Sequence, residues 1–168
     1  VEDRRTGKFT HHGQMPDFSS YRGISTVMSI MQSPSTGHIW IGVYNGGAYE
    51  IDKSAPVGKR VKAYNSSNAP WMCNSCIYYI CEDSKQNLWF ATKSGVSMRA
   101  ADGTPVRFDS LKVGDVAVRD MVVMQLVEGH DSEMWLASNT HGVIRIQGSG
   151  NSLSGYTFSG YSVSNGKL

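Results

Sequence analysis

The sequence predicts an all-β fold, a β-propeller fragment of about three four-stranded antiparallel blades. The main observation is a phrase that occurs three times, as Ile39-Trp40-Ile41-Gly42, Leu88-Trp89-Phe90-Ala91 and Met134-Trp135-Leu136-Ala137. Its tryptophans lie 49 and 46 residues apart, and a repeat of this length indicates stacked supersecondary units. The 18 glycines are also typical of many short strands joined by tight turns.

The first repeat shows how one unit divides into strands. An apolar run over residues 27–31 is short enough for a strand, and the Pro and Gly within residues 33–37 end it in a turn. The tryptophan segment, residues 38–44, has apolar side chains pointing both ways, as in a strand covered on both faces. The turn Asn45-Gly46-Gly47 follows, because these residues tolerate positive φ. The remaining strands are expected at residues 48–52 and 60–64.

The second and third repeats reproduce this order of strands and turns. The expected strands of the second repeat cover residues 77–82, 88–92, 96–100 and 106–108. Those of the third repeat cover residues 122–128, 134–138, 143–147 and 156–158. Four strands per unit of about 45–50 residues, without helical periodicity, are typical of propeller blades. A β-sandwich with accidental internal similarity is the alternative.

A small residue follows each tryptophan of the repeat by two positions. If neighbouring sheets stack face to face, a bulky indole needs a small neighbour where the next sheet approaches. The small residues are Gly42, Ala91 and Ala137. The predicted structural core residues are Trp40, Trp89 and Trp135.

The repeats divide the chain into five segments. Blades are predicted at residues 26–66, 67–111 and 112–160. Residues 1–25 are predicted to hold the fourth strand of a preceding blade and a linker, and residues 161–168 a linker toward a next blade. Because closed propellers usually have four to eight blades, the open faces are expected to meet neighbouring blades of a longer protein or a second copy of the chain.

Composition excludes several classes of function. The 16 basic and 14 acidic residues give a net charge of +2 without a polybasic stripe, so no nucleic-acid partner is expected. No apolar run approaches the ~20 residues of a membrane helix, so membrane contact is expected only through segments absent from this chain. The cysteines Cys73, Cys76 and Cys81 lack a second pair or a His cluster, so neither a metal nor another cofactor is expected. A Cys73–Cys76 or Cys76–Cys81 disulfide and ordinary thiols remain alternatives.

The repeated phrase resembles the two-component regulator propeller repeat. Residues 82–92 follow its pattern of an acidic turn and then apolar-Trp-apolar-small-Thr, and residues 37–49 also fit. The third repeat departs from the pattern, because residues 129–133 replace the usual acidic turn and Ser138 stands for Thr. The similarity extends over roughly residues 8–165.

The resemblance implies a function in signal transduction. In that family such repeats form the periplasmic sensor region of hybrid two-component systems of Bacteroidetes, which carry a histidine kinase and response regulator elsewhere. Many relatives sense oligosaccharides derived from glycans. The chain is therefore expected to be a non-enzymatic, carbohydrate-sensing segment of a membrane-anchored receptor, on the periplasmic side of the inner membrane. A non-catalytic protein-interaction scaffold and a propeller lyase or glycosidase are the alternatives.

In a propeller, the loops from strand two to three and from strand four to the next blade gather at one end. Trp71 lies in such a loop, and an indole can stack on the apolar face of a sugar ring while polar neighbours bind its hydroxyls. The predicted ligand-binding residues are Trp71, Asn45, Tyr44, Lys93, Arg119, Asp120 and His141. Alternatively, Trp71 covers the interface between blades and His141 is a turn residue. No catalytic residue is predicted, because Asp115 and Asp120 share a loop without a repeated inward carboxylate pair.

Overall fold

The fold is described by a computed structural model that covers residues 2–3, 5–9, 26–150 and 152–161. Within these ranges the chain forms three four-stranded and two two-stranded antiparallel sheets. A short pair comes first, β1 (Glu2–Asp3) with β2 (Lys8–Phe9). The first blade contains β3 (Val27–Gln32), β4 (Ile39–Val43), β5 (Gly47–Ile51) and β6 (Val61–Tyr64).

The second and third blades repeat this arrangement. The second contains β7 (Ile77–Glu82), β8 (Leu88–Thr92), β9 (Gly95–Arg99) and β10 (Pro105–Arg107). A connecting hairpin follows, β11 (Lys112–Val113) with β12 (Val116–Ala117), and a 3-10 turn at Val118–Asp120. The third blade contains β13 (Val123–Glu128), β14 (Met134–Ser138), β15 (Gly142–Gly148) and β16 (Tyr156–Tyr161).

Strands pair in chain order within every blade, which confirms the predicted all-β propeller fold of three four-stranded blades. The first strand of each blade also carries an irregularity at the same place, between Val27 and Ser29, Ile77 and Tyr79, and Val123 and Gln125. The hairpin of β11 and β12 was not predicted. The fourth strand expected within residues 1–25 stays a prediction, since Lys8–Phe9 pairs only with Glu2–Asp3 and residues 10–25 lie outside the described part of the chain, as do residues 162–168.

The blades stack through the faces that carry the repeated tryptophans. Trp40 lies edge-on to Phe90 of the second blade, with ring centroids 5.6 Å apart. Trp89 packs edge-on against Tyr156 of the third blade at 6.3 Å. A Cβ on Gly42 would lie 2.9 Å from Ile77 Cγ2, so the predicted need for a small residue at this position is confirmed. The indoles of Trp40 and Trp89 are thus enclosed between successive sheets.

Both ends of the stack leave an apolar face open among the described residues. Val27 and Ile30 of β3 are 52% and 70% exposed, whereas Ile77 and Ile80, which take the same positions in β7, are 0% and 1% exposed. At the other end Trp135 is only partly buried, and Ala137 beside it is exposed. We call these surfaces the β3 face and the β14 face. Each displays one half of the contact that joins the blades within the chain.

The three cysteines are free thiols, so neither of the alternative disulfides forms. Burial raises the pKa of Cys81 to about 12. Burial likewise raises the pKa of Cys73, whose Sγ lies 3.3 Å from the Val96 carbonyl oxygen. The thiols of Cys73 and Cys81 therefore stay protonated and serve as small packing groups.

Candidate functional site

The loops predicted to carry the site gather at one end of the sheets. The turn between the second and third strands of a blade donates a backbone hydrogen bond to the connector that enters the next blade. These bonds are Gly47 N–H to Ser75 O at 2.7 Å and Gly95 N–H to Met121 O at 2.8 Å. Gly47 has φ of 81°, and a Cβ there would collide with the Tyr64 carbonyl oxygen, so this approach requires glycine. We call this end the connector end.

The first blade contributes Tyr44 and Asn45 to the connector end. Tyr44 is exposed, and its ring lies edge-on to Tyr78 with centroids 6.3 Å apart. Asn45 occupies the left-handed region with φ of 55°, a conformation that Asn tolerates well. The pair of tyrosines gives this end an aromatic surface beside a polar turn.

Trp71 lies where the connector crosses from the first blade to the second. Its ring is half-buried, 5.5 Å from the ring of Phe90 and 6.3 Å from that of Tyr64, measured between centroids. These contacts give the indole a packing role at the interface of the two blades. Part of its surface is left accessible, and its role as a sugar platform stays a prediction.

The other predicted residues are polar groups on the loops of the second and third blades. Lys93, Arg119 and Asp120 are exposed. His141 lies in the β14–β15 turn, where its Nδ1 is 2.7 Å from Thr140 Oγ1 and its N–H donates to Ser138 Oγ at 3.3 Å. Within the described ranges, no two of the seven predicted residues share a hydrogen bond or ion pair. They share one end of the stack without forming one compact cluster.

A pocket of about 200 Å³ lies at the opposite end, between the first and second blades. Its lining includes Trp40, which is only 1% exposed, the apolar Leu88, and the charged residues Glu50, Glu82 and Arg99. Exposed residues of the adjoining turns border it: Ser35, Thr36, Gln86 and Ala101. We call this cavity the inter-blade pocket.

Glu50 belongs to a hydrogen-bonded network at the wall of the inter-blade pocket. Its Oε2 accepts from the Tyr64 hydroxyl at 2.7 Å, and its Oε1 lies 2.8 Å from His38 Nδ1. Burial alone raises the pKa of Glu50, but the hydrogen bonds from His38 and Tyr64 and the charges of Lys62 and Arg99 outweigh it and hold the pKa below its usual value. Burial and the neighbouring Glu50 carboxylate raise the pKa of Tyr64 to about 12. Glu50 is therefore a carboxylate at neutral pH.

Glu82 and Arg99 bring two further charges to the inter-blade pocket. Glu82 Oε1 accepts the Ser35 N–H at 3.2 Å, while Oε2 is buried without a hydrogen-bond partner in the described chain. The Arg99 guanidinium carbon lies 5.9 Å from the centroid of the Tyr64 ring, within cation–π range. Of these two groups, the Arg99 guanidinium is the hydrogen-bond donor that borders the pocket.

The sequence prediction missed the inter-blade pocket because it considered only the connector end. One feature of the sequence could have indicated the pocket. Glu50 pairs across the sheet with Trp40, and the equivalent partner of Trp89 in the second blade is the apolar Met98. A carboxylate opposite an indole that is predicted to be buried indicates a polar feature at a blade interface.

The described residues include no group of three or more His, Cys, Asp or Glu side chains arranged to hold a metal ion. No helix in the same ranges has the length and apolar character that a membrane span requires.

Residues 72–94 match the family model described as two component regulator propeller. The segment runs through β7 and β8 and contains Trp89. The resemblance inferred from the repeated phrase is thereby confirmed for the second blade. Comparison with curated proteins gave no match.

Solved structures share the fold at low sequence identity. The extracellular domain of a protein described as the hybrid two component system BT4673 of B. thetaiotaomicron gives a TM-score of 0.69 at 16% identity, covering 95% of this chain and 22% of that one. PorZ, described as an essential surface component of the type-IX secretion system of Porphyromonas gingivalis, gives a TM-score of 0.63 at 14% identity, covering 99% of this chain and 24% of that one. Virginiamycin B lyase from Staphylococcus aureus, solved as a catalytically inactive variant with quinupristin, gives a TM-score of 0.57 at 15% identity. The match covers 84% of this chain and 42% of that one.

These similarities establish a propeller-like fold. The chain spans less than a quarter of the length of the first two structures and less than half of the third.

Proposed function

We propose that this chain is a ligand-sensing propeller segment of a hybrid two-component sensor, located on the periplasmic side of the inner membrane, and that it responds to glycan-derived oligosaccharides. The match of residues 72–94 to the regulator propeller repeat carries the proposal. The likeness of nearly the whole chain to the extracellular domain of BT4673 supports it at the level of fold. In this proposal the histidine kinase belongs to another part of the receptor.

A ligand acts on such a segment by favouring one arrangement of neighbouring blades over another. The connector end is suited to this role, because its turns are hydrogen-bonded to the chain that enters the next blade. A saccharide bound between Tyr44, Trp71 and Lys93 would contact turns of two successive blades. Its binding energy would then change the relative stability of the two blade positions.

The test is calorimetric titration of the intact receptor ectodomain with a panel of oligosaccharides. We expect saturable binding without turnover, and a weaker affinity by about tenfold in Lys93→Ala, which removes a charged hydrogen-bond donor. Lys53→Ala is the matched control, because Lys53 is an exposed lysine in the β5–β6 loop at the opposite end. Absence of binding to every saccharide would reject oligosaccharide sensing, and equal weakening by both variants would reject the connector end as the site.

A non-catalytic interaction scaffold is the second candidate, favoured by the open β3 and β14 faces. Apolar sheet faces of this kind bind other protein surfaces. A ligand-independent complex of the ectodomain with another propeller segment would favour this candidate. Hydrolysis or elimination of a saccharide in the titration would instead identify a lyase or glycosidase.

A further inference from the structure

The third strands of the three blades carry the residues that meet where blades stack. Their first five residues read Gly-Ala-Tyr-Glu-Ile, Gly-Val-Ser-Met-Arg and Gly-Val-Ile-Arg-Ile. The residue at position four pairs across the sheet with the repeated tryptophan and shares its face, and the residue at position five lies on the opposite face. Position four is occupied by Glu50, Met98 and Arg145, and position five by Ile51, Arg99 and Ile146. Position four of one blade therefore faces position five of the next.

At the junction of the first and second blades, these two positions carry opposite charges. Glu50 of the first blade and Arg99 of the second both line the inter-blade pocket. The Arg99 guanidinium carbon lies 5.9 Å from the centroid of the Tyr64 ring, and the Tyr64 hydroxyl donates to Glu50 Oε2 at 2.7 Å. The charge that one blade places at its interface is thus compensated by the next blade.

At the junction of the second and third blades, the same two positions are apolar. Met98 and Ile146 are 0% and 1% exposed and belong to one buried cluster. The Tyr156 hydroxyl of the third blade lies 3.6 Å from Met98 Sδ, so this part of the junction is closely packed. Both junctions of the chain therefore follow one rule, in which a charge meets an opposite charge and an apolar side chain meets an apolar one.

On the β14 face, position four is occupied by Arg145. The Arg145 guanidinium carbon lies 5.7 Å from the centroid of the Trp135 ring. Trp135 in turn packs on Tyr161 with ring centroids 5.6 Å apart, as Trp40 packs on Tyr64 at 5.5 Å in the first blade. The β14 face thus repeats the aromatic pair of the first blade, with a cation in place of the carboxylate.

The charge of Arg145 has no counter-ion in the described part of the chain. Arg145 Nε is buried without a hydrogen-bond partner, and the guanidinium forms no ion pair there. The nearby Glu133 carboxylate accepts the Trp135 Nε1–H and the Asp131 N–H, both at 2.9 Å. A blade that covered this face would remove Arg145 further from water, which is unfavourable unless an opposite charge compensates.

We propose that the β14 face binds a propeller blade that carries Asp or Glu at position five. Such a blade reproduces the pairing of Glu50 with Arg99 with the charges exchanged. Its apolar first strand fills the shallow hollow of about 360 Å³ that Val127, Trp135 and Val143 help to line. A second copy of this chain would bring Ile51 to position five instead, so it would cover the face but leave the charge uncompensated. The inference is independent of the ligand that the segment senses.

The experiment uses self-association of the 168-residue chain as its measure. Two copies that stack the β3 face of one on the β14 face of the other bring residue 51 opposite Arg145. We expect Ile51→Glu to tighten self-association by about tenfold or more in sedimentation velocity, and Ile51→Lys to weaken it below that of the unmodified chain. The two variants are matched controls for each other, because both place a charge at the same partly buried site. Thermal midpoints check that they fold equally well.

Reversal of the charge on the β14 face tests whether Arg145 is the partner. In the Arg145→Glu background, Ile51→Lys should associate more strongly than Ile51→Glu. The proposal is wrong if Ile51→Glu associates no more strongly than the unmodified chain, or if Ile51→Lys tightens association as much. It is also wrong if the preference does not reverse in Arg145→Glu, because the charge at residue 51 would then act on another group.

Discussion

Gly42 marks the point at which the first two blades come closest. The space beside it is taken by Ile77, and the equivalent residue in the third blade, Ala137, faces an open surface. We therefore expect Gly42→Leu to reduce the free energy of unfolding by about 1–3 kcal/mol through overpacking. Ala137→Leu should change it by less than about 0.5 kcal/mol. Urea unfolding of both variants measures the difference, and equal effects would contradict the stacking of β7 on β4.

Glu50 predicts a pH dependence of stability. The pKa of Glu50 is lower in the folded chain than in the unfolded chain. Its contribution to the free energy of unfolding is therefore fully present above the unfolded-state pKa and is lost as pH falls through the folded-state pKa. Glu50→Gln should therefore lose less stability on acidification than the unmodified chain does. Urea midpoints between about pH 7 and about pH 3 test this, with exposed Asp115→Asn as control. Parallel pH profiles for the unmodified chain and Glu50→Gln would contradict it.

At the scale of the element, the β7–β8 turn is organised by a single carboxylate. Asp83 Oδ1 accepts the N–H groups of Lys85 at 3.0 Å and Asn87 at 2.8 Å, and Oδ2 accepts the buried Trp89 Nε1 at 2.7 Å. Asp83→Ala should destabilise the chain by about 1–3 kcal/mol, because it leaves the Trp89 N–H unsatisfied inside the protein.

Glu133→Ala gives the matched comparison in the third blade. Glu133 Oε1 accepts the Trp135 N–H at 2.9 Å, but Trp135 is partly exposed, so water can replace the carboxylate. We expect a loss below about 1 kcal/mol in urea unfolding. A larger loss for Glu133→Ala than for Asp83→Ala would show that burial of the indole does not decide the effect.

The strands could be predicted from sequence because each follows from local patterns. The phrase around Trp89 combines apolar residues in both directions with turn-forming neighbours, and these patterns are repeated in the chain. The hairpin of β11 and β12 could not be predicted, because its strands are two residues long. The inter-blade pocket was also missed, because its presence depends on how completely the side chains fill the space between the first two blades. That outcome depends on which side chains line the junction, here Glu50 from the first blade and Arg99 from the second, and the spacing of a repeat does not encode their identity.

At the scale of the whole molecule, the two open faces are complementary. The β3 face presents Val27 and Ile30, and the equivalent residues of β7 pack against the first blade. The β14 face presents Trp135 and Ala137, and the equivalent residues of the first two blades pack against the first strand of the next blade. Gln32 is equivalent in the repeat to Glu82 and Glu128, whose carboxylates accept hydrogen bonds from the turn of the preceding blade. Joined head to tail at both ends, two copies would amount to six blades and would cover the open faces of the described residues.

We propose that the isolated chain forms this closed dimer, and that blades of the intact receptor occupy the same faces. Sedimentation velocity should show a concentration-dependent dimer without larger species, because a head-to-tail contact that closes on itself terminates assembly. Ile30→Asp should yield monomers, since it places a charge inside the contact. Val57→Asp is the control, because Val57 is an exposed apolar residue in the β5–β6 loop, away from both faces. A monomer at all concentrations would contradict the pairing, and a ladder of higher oligomers would show that the contact forms but the ring does not close.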